Sequence, residues 1–177
     1  MGGSCTPLVM GSSGVRITGL AFMVLIKDYI RESNAIENVY SENAIDSSYE
    51  AWIYLIEKEC LNHEIIKNVH YHILKNRQPS IAGQYRNKQV YVGGDIPTKP
   101  QNIKSEMRNL LDFDPKTGLE AIEWHVDFEK IHPFQDGNGR VGRLIYLWHC
   151  NKINIEPIIW TKSNRQGYYG LFKSISD

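Results

Sequence analysis

The thirteen residues 131–143, IHPFQDGNGRVGR, constrain the fold more than any other stretch of the chain. Upstream, TGLEAIEWHVDFEKIH carries apolar residues at helical spacing. That helix must stop at Pro133, whose ring disfavours helical backbone at the residue before it. Downstream, RVGRLIYLWHCNK resumes as an apolar helix. Gly137 and Gly139 flank Asn138 between the two, and glycine lets the backbone take positive φ and approach a ligand closely. The order therefore dictates a helix end, a tight loop and a fresh helix N-terminus at one place.

The rest of the chain reads mainly as helix. AFMVLIKDYIRESNAIENVYSE is helical with a break near Ser33 and Asn34, where Ser33 would cap a second helix with Glu37 in its first turns. Trp52, Leu55 and Ile56 share one face of the next segment, and Ile65, Ile66, Val69 and Ile73 repeat the pattern. The period then changes. GQYRNKQVYVGGDIPTKP is bracketed by Gly and Pro, and Tyr85, Val90, Tyr91 and Val92 favour strand, which predicts a short β-hairpin or flap. KPQNIKSEMRNLLDFD returns to helix, and a last helix starts near Asn164. The expected class is mainly α, a helical bundle with one short β-hairpin.

At 177 residues the chain suits one domain, taken as residues 21–177. Residues 1–20 are set aside as a tail; a flexible tail, a cloning remnant and a reading frame extended upstream of Met23 all fit them. The apolar run at residues 20–26 is too short to span a bilayer. Lys plus Arg equals Asp plus Glu at 20 each, so no global field recruits nucleic acid or an anionic membrane, and any anion site must be local. Cys5, Cys60 and Cys150 form no CxxC pair, which favours reduced thiols and a cytoplasmic location. Cys60 and Cys150 are expected in apolar helices as core thiols.

The opening stretch carries chemistry in order. Free amides at Gly137, Asn138, Gly139 and Arg140 can face phosphate oxygens, with the helix dipole adding favourable potential. Arg140 and Arg143, three apart, share a helix face and can both reach a polyphosphate. Asp136 is placed to hold Mg²⁺ against the same phosphates. His132 can take a proton from an incoming hydroxyl. A bare GNGR turn decides nothing, but about nine specified positions in this order arise by chance in far fewer than roughly one in a million chains.

HPFQDGNGRVGR resembles the signature of Fic-domain proteins, HPFx(D/N)GNGRxxR, at every specified position, and the likeness extends through YRNKQVYVGGDIP and the later YY pair, over roughly residues 30–177. The resemblance implies transfer of AMP from ATP to a Ser, Thr or Tyr hydroxyl of a target protein, the chain itself included. His132 would be the base, Asp136 the Mg²⁺ ligand, residues 137–140 the anion hole, and Arg143 the holder of the terminal phosphate. Val90, Tyr91, Val92 and Gly93 would position the target by strand-like pairing, with Tyr168 and Tyr169 near the adenosine. Doc-like kinase relatives usually carry lysine where this chain has Gly139, so the glycine argues for AMP transfer over γ-phosphate transfer.

SNAIEN, residues 33–38, resembles the family's inhibitory motif (S/T)xxxE(G/N), placed N-terminally and assigned here to a helix of about residues 33–45. The likeness implies that Glu37 pairs with Arg143, occupying the guanidinium the γ-phosphate needs. Some relatives with this glutamate also remove AMP. A Doc-like kinase and a non-catalytic nucleotide-dependent interaction module stay as alternatives, and homo-oligomerisation stays open. The remaining histidines (His63, His70, His72, His125 and His149) read as surface or satisfied core groups, and Trp52, Trp124, Trp148 and Trp160 as core or interface anchors. Lys99, Lys104 and Arg108 read as a solvated face.

Overall fold

α6 (Asn138–Lys152) is the axis of the molecule, and every residue from 140 to 150 is buried. A helix buried on all sides must be covered by other elements on all sides. α1 (Gly19–Ile36), α2 (Glu42–Ile56), α3 (His63–Leu74) and α5 (Gly118–Ile131) pack around it. α4 (Ile103–Leu111), entered through a 3-10 turn at Pro100–Asn102, braces α5, and α7 (Arg165–Lys173) closes the other side of α5. This computed structural model describes residues 19–173, with side chains described for residues 25–172, so the expected tail lies outside it but for residues 19 and 20.

The main core joins Trp52, Leu55, Ile66, Val69 and Leu74 to Trp124, Phe128, Phe134, Val141 and Ile145. Trp124 and Phe128 stack at 5.6 Å, and Phe134 lies flat on His70 at 3.8 Å. Each such side chain contributes roughly 1.5–3 kcal/mol through removal of its apolar surface from water. A smaller cluster of Ile36, Ala121, Tyr146, Cys150, Trp160 and Tyr168 seals the end where α1 and α7 meet α6. All four tryptophans are buried, as core anchors should be.

Local signals set most boundaries. Thr117 and Glu120 form a reciprocal capping box that starts α5, and Asn62 caps α3 through the amide of Ile65. The expected break at Ser33 does not occur. α1 runs through it to Ile36 because Tyr29, Ile30, Ser33, Asn34 and Ile36 continue one buried stripe at helical spacing. The second helix is capped instead by Ser41, which accepts from the amide of Ala44 at 3.3 Å. Glu37 therefore lies at the C-cap of α1, not inside a following helix. Asn38 adopts φ +58°, while its amide donates to the Ala35 carbonyl and that of Val39 to the Asn34 carbonyl. That is a Schellman ending, whose αL position favours Gly or Asn.

The flap has one antiparallel bridge, Val92 to Asp95, among the described residues. Gly93 and Gly94 turn it with φ +60° and +98°, the positive pair that a two-residue hairpin turn of type I′ requires. Residues 91–96 are exposed. Cys150 is buried, but Cys60 is exposed, because α2 ends at Ile56 and Cys60 falls in the bend beyond it. Lys99, Lys104 and Arg108 are solvated as expected.

His70, His125 and His149 are buried, and burial pulls their pKa values to about 4, 3 and 4. His149 is no satisfied core group: neither ring nitrogen has a hydrogen-bond partner among the described residues, and the ring sits edge-on to Trp124 and Trp148. A histidine with a depressed folded pKa contributes stability that is present above its unfolded value of about 6.5 and is lost as pH falls through the folded one. Chemical denaturation should therefore show stability falling steeply between pH 6.5 and 4, by on the order of 3 kcal/mol per histidine. His149→Phe should make that fall visibly shallower.

Candidate active site

The loop between α5 and α6 is closed by its own side chains. The Asn138 carboxamide accepts from the amide of Phe134 and donates to the Phe134 carbonyl, both at 2.9 Å. Its side chain is thus a staple, leaving its backbone amide for a ligand. Gly137 sits at φ +79°, and the first helical bond runs from Val141 back to the Gly137 carbonyl. The amides of Asn138, Gly139 and Arg140 accordingly precede the ladder and form the electropositive end of α6.

His70 pins this loop from beneath. Its Nδ1 accepts from the amide of Gly83 at 2.9 Å, which fixes the tautomer, so Nε2–H donates to the Asp136 carbonyl at 3.0 Å. Gln78 donates to the Asp136 carboxylate at 2.6 Å, and Gly137 N–H to its other oxygen at 2.6 Å. Asp136 still presents 40% of its side chain to solvent. No group of three or more His, Cys, Asp or Glu among the described residues could hold a metal ion alone. A single accessible carboxylate fits Mg²⁺ held jointly with substrate phosphates.

Arg140 and Arg143 are 3% and 1% exposed, and both reach Glu37. Arg143 Nη2 donates to one carboxylate oxygen at 2.7 Å, and Arg140 Nε to the other at 2.9 Å. One carboxylate thus bridges both guanidiniums. Arg143 also donates from Nε to the Ser33 hydroxyl at 2.8 Å, from Nη2 to the Ser33 carbonyl at 2.9 Å and from Nη1 to the Tyr168 hydroxyl at 3.0 Å. Burial works against its charge, but the Tyr168 hydroxyl and the Glu37 carboxylate beside it outweigh that and hold the group protonated. Arg140 Nη1 is buried with no hydrogen-bond partner among the described residues, an N–H suited to an anion. A Cβ on Gly139 would stand 2.2 Å from Glu37 Oε1 and 2.6 Å from Arg143 Nη1. The glutamate can take this seat only because residue 139 has no side chain.

His132 is the C-cap of α5, in the left-handed region at φ +50°. Its Nδ1 lies 3.7 Å from Glu129 Oε2. Burial lowers its pKa, and the Arg86 guanidinium acts in the same direction; the Glu129 carbonyl, Glu37 and Asp136 oppose. Burial pushes the Glu129 carboxyl up to about 8, against the pull of Arg143, so it is protonated near neutrality. The imidazole is therefore a neutral base at physiological pH.

The other sequence-selected residues divide. Tyr168 is buried, its ring against Trp160 and Phe172 and its hydroxyl between Arg143 and His125, while Tyr169 is 41% exposed. Val90, Tyr91, Val92 and Gly93 lie in the flap, whose base is held against the His132 end of α5. Sequence reasoning missed Arg86, His70 and Gln78, which act on the site from 46, 66 and 58 residues away.

Residues 60–150 match the Fic/DOC family. The protein adenylyltransferase Fic of Nematostella vectensis is 34% identical over 124 residues, 65% of this chain and 29% of that protein. Its counterpart in Drosophila melanogaster is 31% identical over 126 residues, 67% and 26% of the two chains. The chain thus spans between a quarter and three tenths of the length of these relatives. A Fic-domain-containing signaling protein from Bacteroides thetaiotaomicron superposes with a TM-score of 0.75 at 18% identity, covering 86% of this chain and 72% of that one. Fic-1 from C. elegans gives 0.71 at 23% identity, covering 89% and 56%. With the family match spanning just over half of its residues and the fold shared, the chain belongs to the Fic/DOC family.

Proposed function

We propose that this chain transfers AMP from ATP to a hydroxyl side chain of a target protein and is held off by Glu37. The observation that carries the reading is the bridge of one carboxylate across Arg140 and Arg143, beside an amide end and a neutral His132. The relatives named protein adenylyltransferase support the reaction class. In that reaction His132 takes the proton of the target hydroxyl, whose oxygen attacks the α-phosphorus of ATP. The new P–O bond forms as the bond to the pyrophosphate oxygen breaks, and pyrophosphate leaves. The amides of residues 138–140 and the two guanidiniums bind phosphate oxygens and orient them. Asp136 would hold Mg²⁺, which supplies charge neutralisation on the phosphates. The flap offers its backbone to the target as an added strand.

The brake follows from the same contacts. With Glu37 seated, four of the five Arg143 N–H groups are taken and a carboxylate stands where a γ-phosphate would have to pair, and misplacing the phosphates removes in-line alignment. Glu37→Gly should raise automodification with α-labelled ATP by at least about tenfold, and His132→Ala in that background should abolish it. Label arriving only from γ-labelled ATP, or equal rates for Glu37→Gly and the parent chain, would defeat the reading.

The Schellman ending gives an independent route to the same state. Asn38→Val places a β-branched residue at φ +58°, at a cost of about 1–2 kcal/mol, and should loosen the last turn of α1. Automodification should rise without any change at Glu37, whereas Asn38→Gly should leave the parent activity unchanged.

A base whose pKa is depressed stays neutral further into the acid range. In the Glu37→Gly protein, the acid limb of the rate against pH should therefore fall below about 6.5, the free histidine value. A limb above 7 would contradict the environment of His132.

A further inference from the structure

Arg86 is 5% exposed, and no carboxylate is paired with it among the described residues. Four of its five N–H groups instead meet backbone carbonyls from two segments. Nε donates to His132 at 2.7 Å, Nη1 to Lys88 at 3.0 Å, and Nη2 to Thr98 at 2.5 Å and Ile131 at 3.3 Å. Its own amide donates to the Pro133 carbonyl at 2.9 Å, and the amide of Thr98 to Lys130 at 3.4 Å.

These acceptors are not scattered. Ile131 and His132 are the last carbonyls of α5, which lack intrahelical donors and carry the negative end of the helix dipole. Lys88 and Thr98 bracket the flap on either side of the Val92–Asp95 bridge. A guanidinium is the one side chain whose rigid fork spans such a set, since an ammonium is a single point of donation. His132, moreover, is a non-glycine residue at φ +50°, a conformation that costs about 1–3 kcal/mol and persists only when its surroundings over-determine it.

We propose that Arg86 is a positioning residue that ties both ends of the target-binding flap to the backbone of His132, setting the flap and the base at one distance. It acts through carbonyls and does not touch the nucleotide nest. The proposal rests on the AMP-transfer reading, since it is the target hydroxyl between flap and base that needs this register. Its charge has a second effect, because of the groups facing the His132 imidazole only Arg86 disfavours protonation, against Glu37, Asp136 and the Glu129 carbonyl.

The test compares Arg86→Lys and Arg86→Gln in the Glu37→Gly background. Lys keeps the charge without the fork, and Gln removes the charge. Affinity for ATP, measured by calorimetry, should stay within about twofold for both. The automodification rate at saturating ATP should fall at least about thirtyfold for both, roughly the loss expected when reacting groups are misplaced. Amide exchange in residues 89–97 should quicken in both, with residues 63–74 of α3 unchanged. In Arg86→Gln alone, the acid limb of the rate should also move up. Loss of ATP affinity in step with the rate, exchange quickened throughout the chain, or an unchanged flap would each overturn the proposal. If the Glu37→Gly parent transfers no AMP, the functional reading fails, and exchange in the flap still decides whether Arg86 tethers it. Should Arg86→Gln not fold, Arg86→Lys carries the test.

Discussion

Two guanidinium groups stand inside a helix that is covered on every side, and the architecture around the site answers to that charge. Moving an ion out of water costs several kcal/mol, and pairing it with a carboxylate often does little more than offset this. Arg143 is therefore surrounded by acceptors, with the Ser33 hydroxyl and carbonyl, the Tyr168 hydroxyl and Glu37 taking four of its five donors. Arg140 is less completely served, and its buried Nη1 has no hydrogen-bond partner among the described residues. Such a pair is poor material for a stable core. It makes sense as a seat that something negative must occupy, as the chain's own Glu37 carboxylate does.

The carboxylate is delivered by a rigid element. α1 is anchored on α6 by the Tyr29 hydroxyl donating to the Arg143 carbonyl at 3.0 Å, and by both polar atoms of Ser33. Glu37 rides at the end of that helix, where a negative side chain opposes the dipole; the two arginines compensate. Most of the ordering entropy of this contact is thus already met when α1 packs. Unseating the carboxylate needs only the last turn to move, the part of a helix most prone to fray. Gly139 completes the fit, since any side chain there would collide with the bound carboxylate.

The candidate site was legible in the sequence because its parts are local. Base, carboxylate, amides and two arginines fall within twelve residues, and each needs a particular residue type. The pairing of Glu37 came from likeness to a known motif, and its reach to Arg140 as well depends on how α1 docks. Supporting residues left no local trace. Arg86 sits in YRNK like any solvated cation, and only the fold shows that its neighbours are carbonyls 45 and 46 residues away. Errors had the same origin. Ser33 and Asn34 look like a helix break by propensity, but a continuing buried stripe overrides it. Cys60 follows an apolar helix in sequence, yet the helix ends four residues earlier.

The site thus has two halves on separate supports. In the proposed function the anion half is the start of α6 with the end of α1, and the base half is the end of α5 with the flap. His132 and Glu129 are both neutral near pH 7, for reasons of burial, so neither adds charge to the cleft. What remains beside the start of α6 is two guanidiniums, at Arg140 and Arg143, against the carboxylates of Glu37 and Asp136. With Glu37 in place the charges balance; with it withdrawn, one positive charge is left over. On the proposed reading, seating Glu37 therefore does more than block one guanidinium. It also cancels the local positive charge that would draw a polyanion in, so occlusion and neutralisation are one event.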